Sequence, residues 1–94
     1  MFLGSYSFEG DPTELVAAYE RLMAQFPPES TDLHVCVVHD DGILVLDACP
    51  SRAVFEQFSQ SPQFRDAVAT AGLPSPRVDL VGEVHAARGR GIGR

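Results

Sequence analysis

Four side chains that can carry chemistry fall on two neighbouring segments of this 94-residue chain. His34 and Cys36 lie two residues apart in one segment, and Asp47 and Cys49 lie two apart in the next. Successive side chains of a strand point to opposite faces, so each pair shares a face if both segments are strands. Imidazole changes its charge near neutral pH, so His34 beside Asp47 is a candidate general base for an acidic phenol or a C–H next to a carbonyl. We predict His34 and Asp47 as catalytic residues, with Cys36 and Cys49 binding a ligand beside them.

Two other interpretations of these residues stay open. In the first, His34 has no catalytic role and is a structural histidine hydrogen-bonded at the dimer interface. The His, Cys and Asp side chains are also ligand types for a zinc-like ion, but His-x-Cys facing Asp-x-Cys is not an established metal motif. We therefore predict no metal and no cofactor, and two reduced thiols that pack as small hydrophobic groups.

The elements that must position these residues begin with a short strand and a capped helix. Residues 2–8 form a β-compatible run whose Ser5 and Tyr6 could hydrogen-bond a ligand. Asp11-Pro12-Thr13-Glu14 has the order of a helix start, with a capping aspartate and a proline at the first helical position. Apolar residues then recur with a 3.6-residue period up to Phe26, and Pro27-Pro28 ends the predicted helix.

A hairpin is predicted next, with the strand pair 33–38 and 43–48 joined at Asp41-Gly42. A two-residue Asp41-Gly42 loop places Cys36 opposite Asp47 and His34 opposite Cys49. One face then carries Leu33, Val35, Val37, Leu44, Leu46 and Ala48, which we predict to face the helices. The opposite face carries His34, Cys36, Val38, Ile43, Val45, Asp47 and Cys49. A one-residue slip of the register would invert these assignments.

The last third of the chain predicts a broken helix and a final strand. Ser51 and Ser61-Pro62 each begin a helical segment, and Gly72 ends the second one. Residues 78–86 alternate well enough for a strand that carries His85, a further candidate ligand-binding residue. Residues 88–94 are rich in Gly and Arg and are predicted to be a disordered tail after a single domain at residues 1–87.

This order of elements is β-α-β-β-α-β, an α+β fold of the ferredoxin-like kind with a four-stranded antiparallel sheet. Two helices cover one face of such a sheet, and the other face needs a second layer. The mixed apolar and polar character of the predicted second face suits a chamber closed by a second subunit. We therefore predict a homodimer whose chamber holds a small aromatic ligand.

The composition excludes several classes of partner. All thirteen acidic residues lie in residues 1–87 with only four of the seven arginines, so the body of the chain repels nucleic-acid phosphates. No segment reaches the roughly 18 consecutive apolar residues of a membrane span, and the N-terminus lacks the layout of a secretory signal. The expected location is the cytoplasm.

Residues 1–87 resemble the dimeric α+β barrel superfamily in the order of their elements. The chain is similar to a set of small proteins of high-GC bacteria in residues 11–15 (Asp-Pro-Thr-Glu-Leu), 33–37 (Leu-His-Val-Cys-Val), Asp41-Gly42 and 71–74 (Ala-Gly-Leu-Pro). The wider superfamily includes antibiotic-biosynthesis-type monooxygenases, polyketide cyclases, lactone isomerases and non-enzymatic members. The Asn and Trp on which monooxygenase and haem-degrading relatives rely are absent from this sequence.

The resemblance implies a small-molecule-binding dimer. It implies a cofactor-independent reaction of monooxygenase, cyclase or isomerase type on an aromatic or polyketide-like compound. The alternative is a non-catalytic ligand-binding or assembly protein whose second sheet face is only a dimer interface. The sequence leaves the choice between an enzyme and a binding protein open.

Overall fold

The computed structural model describes residues 1–26 and 31–89. The elements in chain order are β1 (Phe2–Glu9), α1 (Pro12–Met23), β2 (Leu33–His39), β3 (Gly42–Cys49), α2 (Arg52–Ser59), α3 (Pro62–Ala71) and β4 (Arg77–Glu83). The prediction of an α+β fold is confirmed, with the second predicted helix in two pieces. The predicted Pro27-Pro28 helix stop lies outside the described residues.

The four strands form one antiparallel sheet in the order β2-β3-β1-β4. The three helices pack on one face of this sheet, where their apolar side chains join those of β1 and β3 in one core. α1 and α3 lie side by side, and the Arg21 Nε donates a hydrogen bond to the Ala71 carbonyl at 3.0 Å. The structure therefore has two layers, with β1 and β3 in the middle of the sheet.

All three helices begin where the local signals predict, and α3 also ends there, whereas α1 ends at Met23, before the Phe26 to which its apolar period extends. Asp11 caps α1 by accepting a hydrogen bond from the Glu14 amide at 3.0 Å. Ser51 caps α2 and Ser61 caps α3, each through its hydroxyl oxygen. Gly72 ends α3 in the left-handed conformation with a φ of 87°, which glycine adopts without a steric penalty. The predicted break of the second helix is confirmed.

The hairpin between β2 and β3 is confirmed, but its turn lies one residue earlier than predicted, which moves each predicted cross-strand partner by two positions. The turn is Asp40-Asp41, and Gly42 pairs with His39 inside the ladder. A Cβ at Gly42 would lie 2.0 Å from the Phe8 carbonyl oxygen, so glycine is needed there for the close approach of β1. As a result His34 lies directly opposite Asp47, and Cys36 lies opposite Val45.

The predicted sides of the sheet are reversed. The set of residues that shares a face is as predicted, because the change of register moves each partner by two positions. Ile43 and Val45 are buried at 0% and 4% exposure beneath the helices, whereas Val35 and Val37 are 36% and 41% exposed. His34, Cys36, Asp47 and Cys49 therefore lie on the helix-covered face. The opposite side, which we name the open sheet face, carries the large aliphatic residues Leu3, Leu33, Val35, Val37, Leu44 and Leu46.

Aromatic residues of β1 account for the reversal. In the sheet Phe2 pairs with Cys49, Tyr6 with Val45 and Phe8 with Ile43. Paired residues project to the same face of a sheet, so the three rings lie on the face of these β3 side chains. All three aromatic side chains are buried. Their burial outweighs that of the aliphatic residues on the other face, because aromatic side chains remove more apolar surface from water.

The chain after β4 differs from the predicted strand. β4 ends at Glu83, opposite Phe2 at the start of β1. Within the described residues after it, one further backbone hydrogen bond joins the two strands, from the Val84 amide to the Met1 carbonyl at 2.8 Å. His85 is exposed beyond the strand. Arg88 and Gly89 are exposed, and residues 90–94 of the predicted tail lie outside the described part of the chain. Within residues 1–26 and 31–89, no helix has the length and apolar content to cross a membrane.

Gly4 in β1 allows Phe55 of α2 to lie directly on the sheet. A Cβ at Gly4 would lie 2.1 Å from the Cζ atom of Phe55, whose side chain is fully buried. The Phe55 ring centroid lies 6.1 Å from that of Phe2 and 5.4 Å from that of Tyr6. This contact sets the height of α2 above the middle of the sheet.

We expect Gly4→Ala to lower the free energy of unfolding by about 1–3 kcal/mol, because the added methyl group overpacks the contact with Phe55. Chemical denaturation measures the change. A Gly4→Ala, Phe55→Leu double variant should lose less stability than the sum of the two single changes, since the smaller side chain leaves room for the methyl group. Additive losses would show that the two positions are not in close contact.

Candidate functional site

An apolar cavity of about 360 Å³ lies between the sheet and the helices. Its walls come from β1, β2, β3 and all three helices, with the apolar side chains of Phe8, Leu22, Met23, Val45, Phe58 and Phe64. Pockets for small molecules have volumes of roughly 300–1,000 Å³ and mostly apolar walls, so this cavity has the size and lining of one. Its lining comes from a single chain, whereas the sequence predicted a chamber between two subunits.

Three polar side chains in the cavity wall form a hydrogen-bonded chain across α1, β2 and β3. The Tyr19 hydroxyl lies 2.5 Å from the Nε2 of His34. The Nδ1 of His34 is hydrogen-bonded to the Oδ1 of Asp47, directly across the strand pair. The Tyr19 and His34 rings are nearly parallel, with an interplanar angle of 11°. We call this set the Tyr19–His34–Asp47 chain.

The partners of His34 define the direction of each hydrogen bond. An ionised carboxylate only accepts hydrogen bonds, so Nδ1 carries the proton toward Asp47. Nε2 then has a free lone pair and accepts the hydrogen bond from the Tyr19 hydroxyl. The His34 side chain is 24% exposed and that of Asp47 is 8% exposed. Asp47 therefore orients the imidazole and stabilises any positive charge that it gains, in the manner of a base with its orienting partner.

Tyr19 remains protonated at neutral pH. Burial, followed by the nearby negative charges of ionised Cys36, Glu20 and Asp47, raises the pKa of its hydroxyl to about 12. The oxygen that donates to His34 keeps a lone pair that can accept a hydrogen bond from a ligand. Tyr19 thus extends the chain from His34 into the cavity.

Tyr6 brings a second hydroxyl to the cavity wall. The residue is 2% exposed, and its hydroxyl is buried without a hydrogen-bond partner in the described structure. Burial, then the charge of Asp47 and that of ionised Cys49, raises the pKa of this hydroxyl well above its usual range. The group therefore stays protonated as a hydrogen-bond donor, and no acceptor in the described part of the chain pairs with it.

The two cysteines have different positions. Cys49 is buried in the cavity wall, and Cys36 lies outside it on the neighbouring strand. Both are free thiols, and burial raises the pKa of each, which keeps them protonated and weakly nucleophilic. Among the described residues, no three His, Cys, Asp or Glu side chains are grouped so that they could hold a metal ion.

The structure brings together four of the predicted site residues and separates the others. His34, Asp47, Tyr6 and Cys49 all line the cavity. Ser5 pairs with Leu46 on the open sheet face. Cys36 and His85 also lie outside the cavity, so three of the seven predicted residues are not at this site.

Sequence reasoning missed Tyr19 as a site residue. Tyr19 belongs to the apolar stripe of α1, and that periodicity predicts a core position. Its distinguishing feature is a contact with His34, fifteen residues away, which no local pattern encodes. The weak signal that could have identified it is the hydroxyl group of Tyr19 among the otherwise apolar residues of the α1 stripe.

Comparisons with protein-family models, curated proteins and solved structures give no match to this chain. The chemistry of the site is therefore inferred from its own residues. An imidazole held between a phenol and a carboxylate can take up or release a proton, and the apolar wall beside it can hold an organic molecule.

We expect His34→Ala to lower the free energy of unfolding by about 1–3 kcal/mol, because it leaves the buried Asp47 carboxylate without its histidine partner. Chemical denaturation at neutral pH measures the loss. His39→Ala is the matched control on the same strand, where an exposed histidine should change stability by less than about 0.5 kcal/mol. Equal effects of the two substitutions would contradict a structural link between His34 and Asp47.

Proposed function

We propose that this chain binds a small, largely apolar molecule of aromatic or polyketide-like character in the cavity between its sheet and helices. The observation that carries the proposal is the coincidence of an apolar cavity of about 360 Å³ with buried polar groups that converge on it. Convergent polar groups in an apolar pocket orient a ligand and provide its specificity.

The proposed chemistry is proton transfer without a cofactor. A proton from a phenol, or from a C–H next to a carbonyl, moves toward the Nε2 of His34, directly or through the Tyr19 hydroxyl. In the C–H case the bonding electrons form the C=C bond of an enolate, and the carbonyl π electrons move to oxygen. Asp47 stabilises the imidazolium that results. Isomerases and cyclases use steps of this type.

We further propose that the fold is ferredoxin-like and that it pairs as in the dimeric α+β barrels. The strand order β2-β3-β1-β4 and the placement of all helices on one face support this assignment. The open sheet face supplies the surface for pairing, because its two exposed valines, Val35 and Val37, lie among half-buried leucines. Apolar side chains grouped on one face mark an interaction site more often than isolated ones do.

The competing function is ligand binding or assembly without catalysis. In that case the Tyr19–His34–Asp47 chain ties α1 to the sheet and moves no proton. The exposed aliphatic residues of the open sheet face favour an assembly role as strongly as they favour an enzyme dimer. Proton exchange on a bound ketone separates the two functions.

We expect 2-tetralone, a neutral bicyclic ketone, to bind the wild-type protein and to shift the amide resonances of residues around the cavity. Val54 lines the cavity on α2, so Val54→Trp should weaken binding at least about tenfold by occupying part of the space. Ala53→Trp adds the same side chain at an exposed neighbouring position and should bind like wild type. Failure of the wild type to bind 2-tetralone, phenols or polyketide-like ketones would overturn the proposal.

The same experiment in D₂O tests the chemistry. Bound 2-tetralone should exchange its C1 protons faster than in buffer, as followed by loss of their NMR signal. His34→Gln, which keeps an amide donor for Asp47 but lacks the base, should lower this exchange rate by roughly 10²-fold. His39→Gln is the control and should leave the rate unchanged. Binding without accelerated exchange would favour the non-catalytic function.

Pairing through the open sheet face predicts a dimer at micromolar concentration in sedimentation equilibrium. Val37→Lys places a charge in the proposed interface and should give a monomer, because an unpaired charge is costly to bury there. Ala53→Lys adds the same charge on α2, away from the open sheet face, and should leave the dimer intact. A wild-type protein that sediments only as a monomer would contradict this part of the proposal.

A further inference from the structure

We infer that the ligand of the cavity is a neutral carbonyl compound whose oxygen accepts a hydrogen bond from Tyr6. The inference rests on the proposed function, because it names the class of molecule that the cavity holds. It adds a specific role for Tyr6, on the central strand β1, that is separate from the Tyr19–His34–Asp47 chain.

The Tyr6 hydroxyl lacks a partner although the residue is almost entirely buried. Its exposure is 2%, and within residues 1–26 and 31–89 its oxygen has no hydrogen-bond partner. Buried polar groups in folded proteins are nearly always hydrogen-bonded, since an unsatisfied one destabilises the fold. An unsatisfied donor in the wall of a cavity therefore indicates an acceptor that the ligand supplies.

Packing holds the Tyr6 ring in this position. Its ring centroid lies 5.4 Å from that of Phe55 and 5.0 Å from that of Phe64. Val45 is its partner across the strand pair. The ring cannot turn toward solvent without disrupting the core, so the donor is presented in a fixed place before any ligand arrives. A preorganised donor loses little conformational entropy on binding.

The charges around the cavity favour a neutral ligand. No arginine of residues 1–26 and 31–89 lines the cavity, and the sequence contains no lysine. Asp47 is the carboxylate in the wall, and its charge already acts on the Tyr6 hydroxyl. A buried anion needs a cation or several hydrogen bonds. His34, the basic side chain in the described wall, is already bonded to Asp47, so an anionic ligand would meet the like charge of that carboxylate.

A carbonyl oxygen meets these conditions with the fewest further requirements. It accepts the Tyr6 hydrogen bond, carries no net charge and brings no donor that would need its own partner. The rest of the molecule can then be apolar, as the walls of the cavity require. A ketone with an aromatic or other planar body fits both the single donor and the lining.

Three planar probes of similar shape test the inference: 2-acetylnaphthalene, its hydrocarbon analogue 2-isopropenylnaphthalene and the anion 2-naphthoate. Titrations followed by chemical shifts give their dissociation constants. We expect the wild type to bind the ketone about three- to tenfold more tightly than the hydrocarbon, the value of one net hydrogen bond. The carboxylate should bind more weakly than either neutral probe.

Tyr6→Phe removes only the hydroxyl and should abolish the preference for the ketone while leaving the affinity for the hydrocarbon unchanged. Without ligand, the variant should unfold at the same temperature as wild type or higher, because it loses an unsatisfied polar group. A lower unfolding temperature would show that the hydroxyl already has a partner, and this result would overturn the inference.

The outcomes separate the inference from the proposed function. If the wild type binds none of the three probes, the proposed small-molecule site fails and the inference fails with it. If the probes bind, and Val54→Trp weakens them, but the ketone has no advantage or Tyr6→Phe leaves that advantage intact, only the inference is overturned. Tightest binding of 2-naphthoate would also overturn it, since the cavity would then prefer an anion.

Discussion

Phe2, Tyr6 and Phe8 project from β1 on the side where Cys49, Val45 and Ile43 project from β3. These two strands form the centre of the sheet, so the helices pack on the face where the aromatic rings lie. The cavity, the buried polar groups and the open sheet face all follow from this choice of side. A sheet covered on its other face would leave His34 and Asp47 in contact with solvent.

Burial of Asp47 is the main electrostatic constraint on this arrangement. A carboxylate beneath helices requires hydrogen-bond partners, and His34 supplies one from the neighbouring strand. The second imidazole nitrogen, Nε2, then accepts a hydrogen bond, and the Tyr19 hydroxyl of α1 donates it. One hydrogen-bonded chain thus ties the edge strand β2 to the first helix while it forms a polar part of the cavity wall.

Much of the local structure could be predicted because its causes lie within a few residues. Asp11, Ser51 and Ser61 bond to amides three positions ahead, and Gly72 ends a helix through its own backbone conformation. The order of the elements along the chain and the shared face of His34 and Asp47 also followed from patterning. Direct pairing of the two did not, because Gly42 serves the contact with β1 and the turn precedes it.

The side of the sheet and the role of Tyr19 depend on contacts distant in sequence. Both faces of the β2–β3 hairpin carry aliphatic residues, so its pattern alone cannot indicate which face is covered. The covered face is set by Tyr6 and the other aromatic residues of β1, whose effect is apparent only when β1 is paired with β3. Tyr19 likewise owes its hydrogen bond with His34 to the position of α1 above β2. The residues predicted to line a chamber between subunits lie for the same reason beneath the helices of one chain.

The break between α2 and α3 has a consequence for the aromatic residues on either side of it. Phe55 and Phe64 are nine positions apart, and an uninterrupted helix advances about 100° per residue, which would place the two rings on opposite sides of its axis. In this fold both rings contact Tyr6. Gln60 and Ser61, between the helices, therefore turn α3 relative to α2 so that both rings face the sheet. The number of residues between the two helices thus determines whether Phe64 can pack on the sheet beside the cavity.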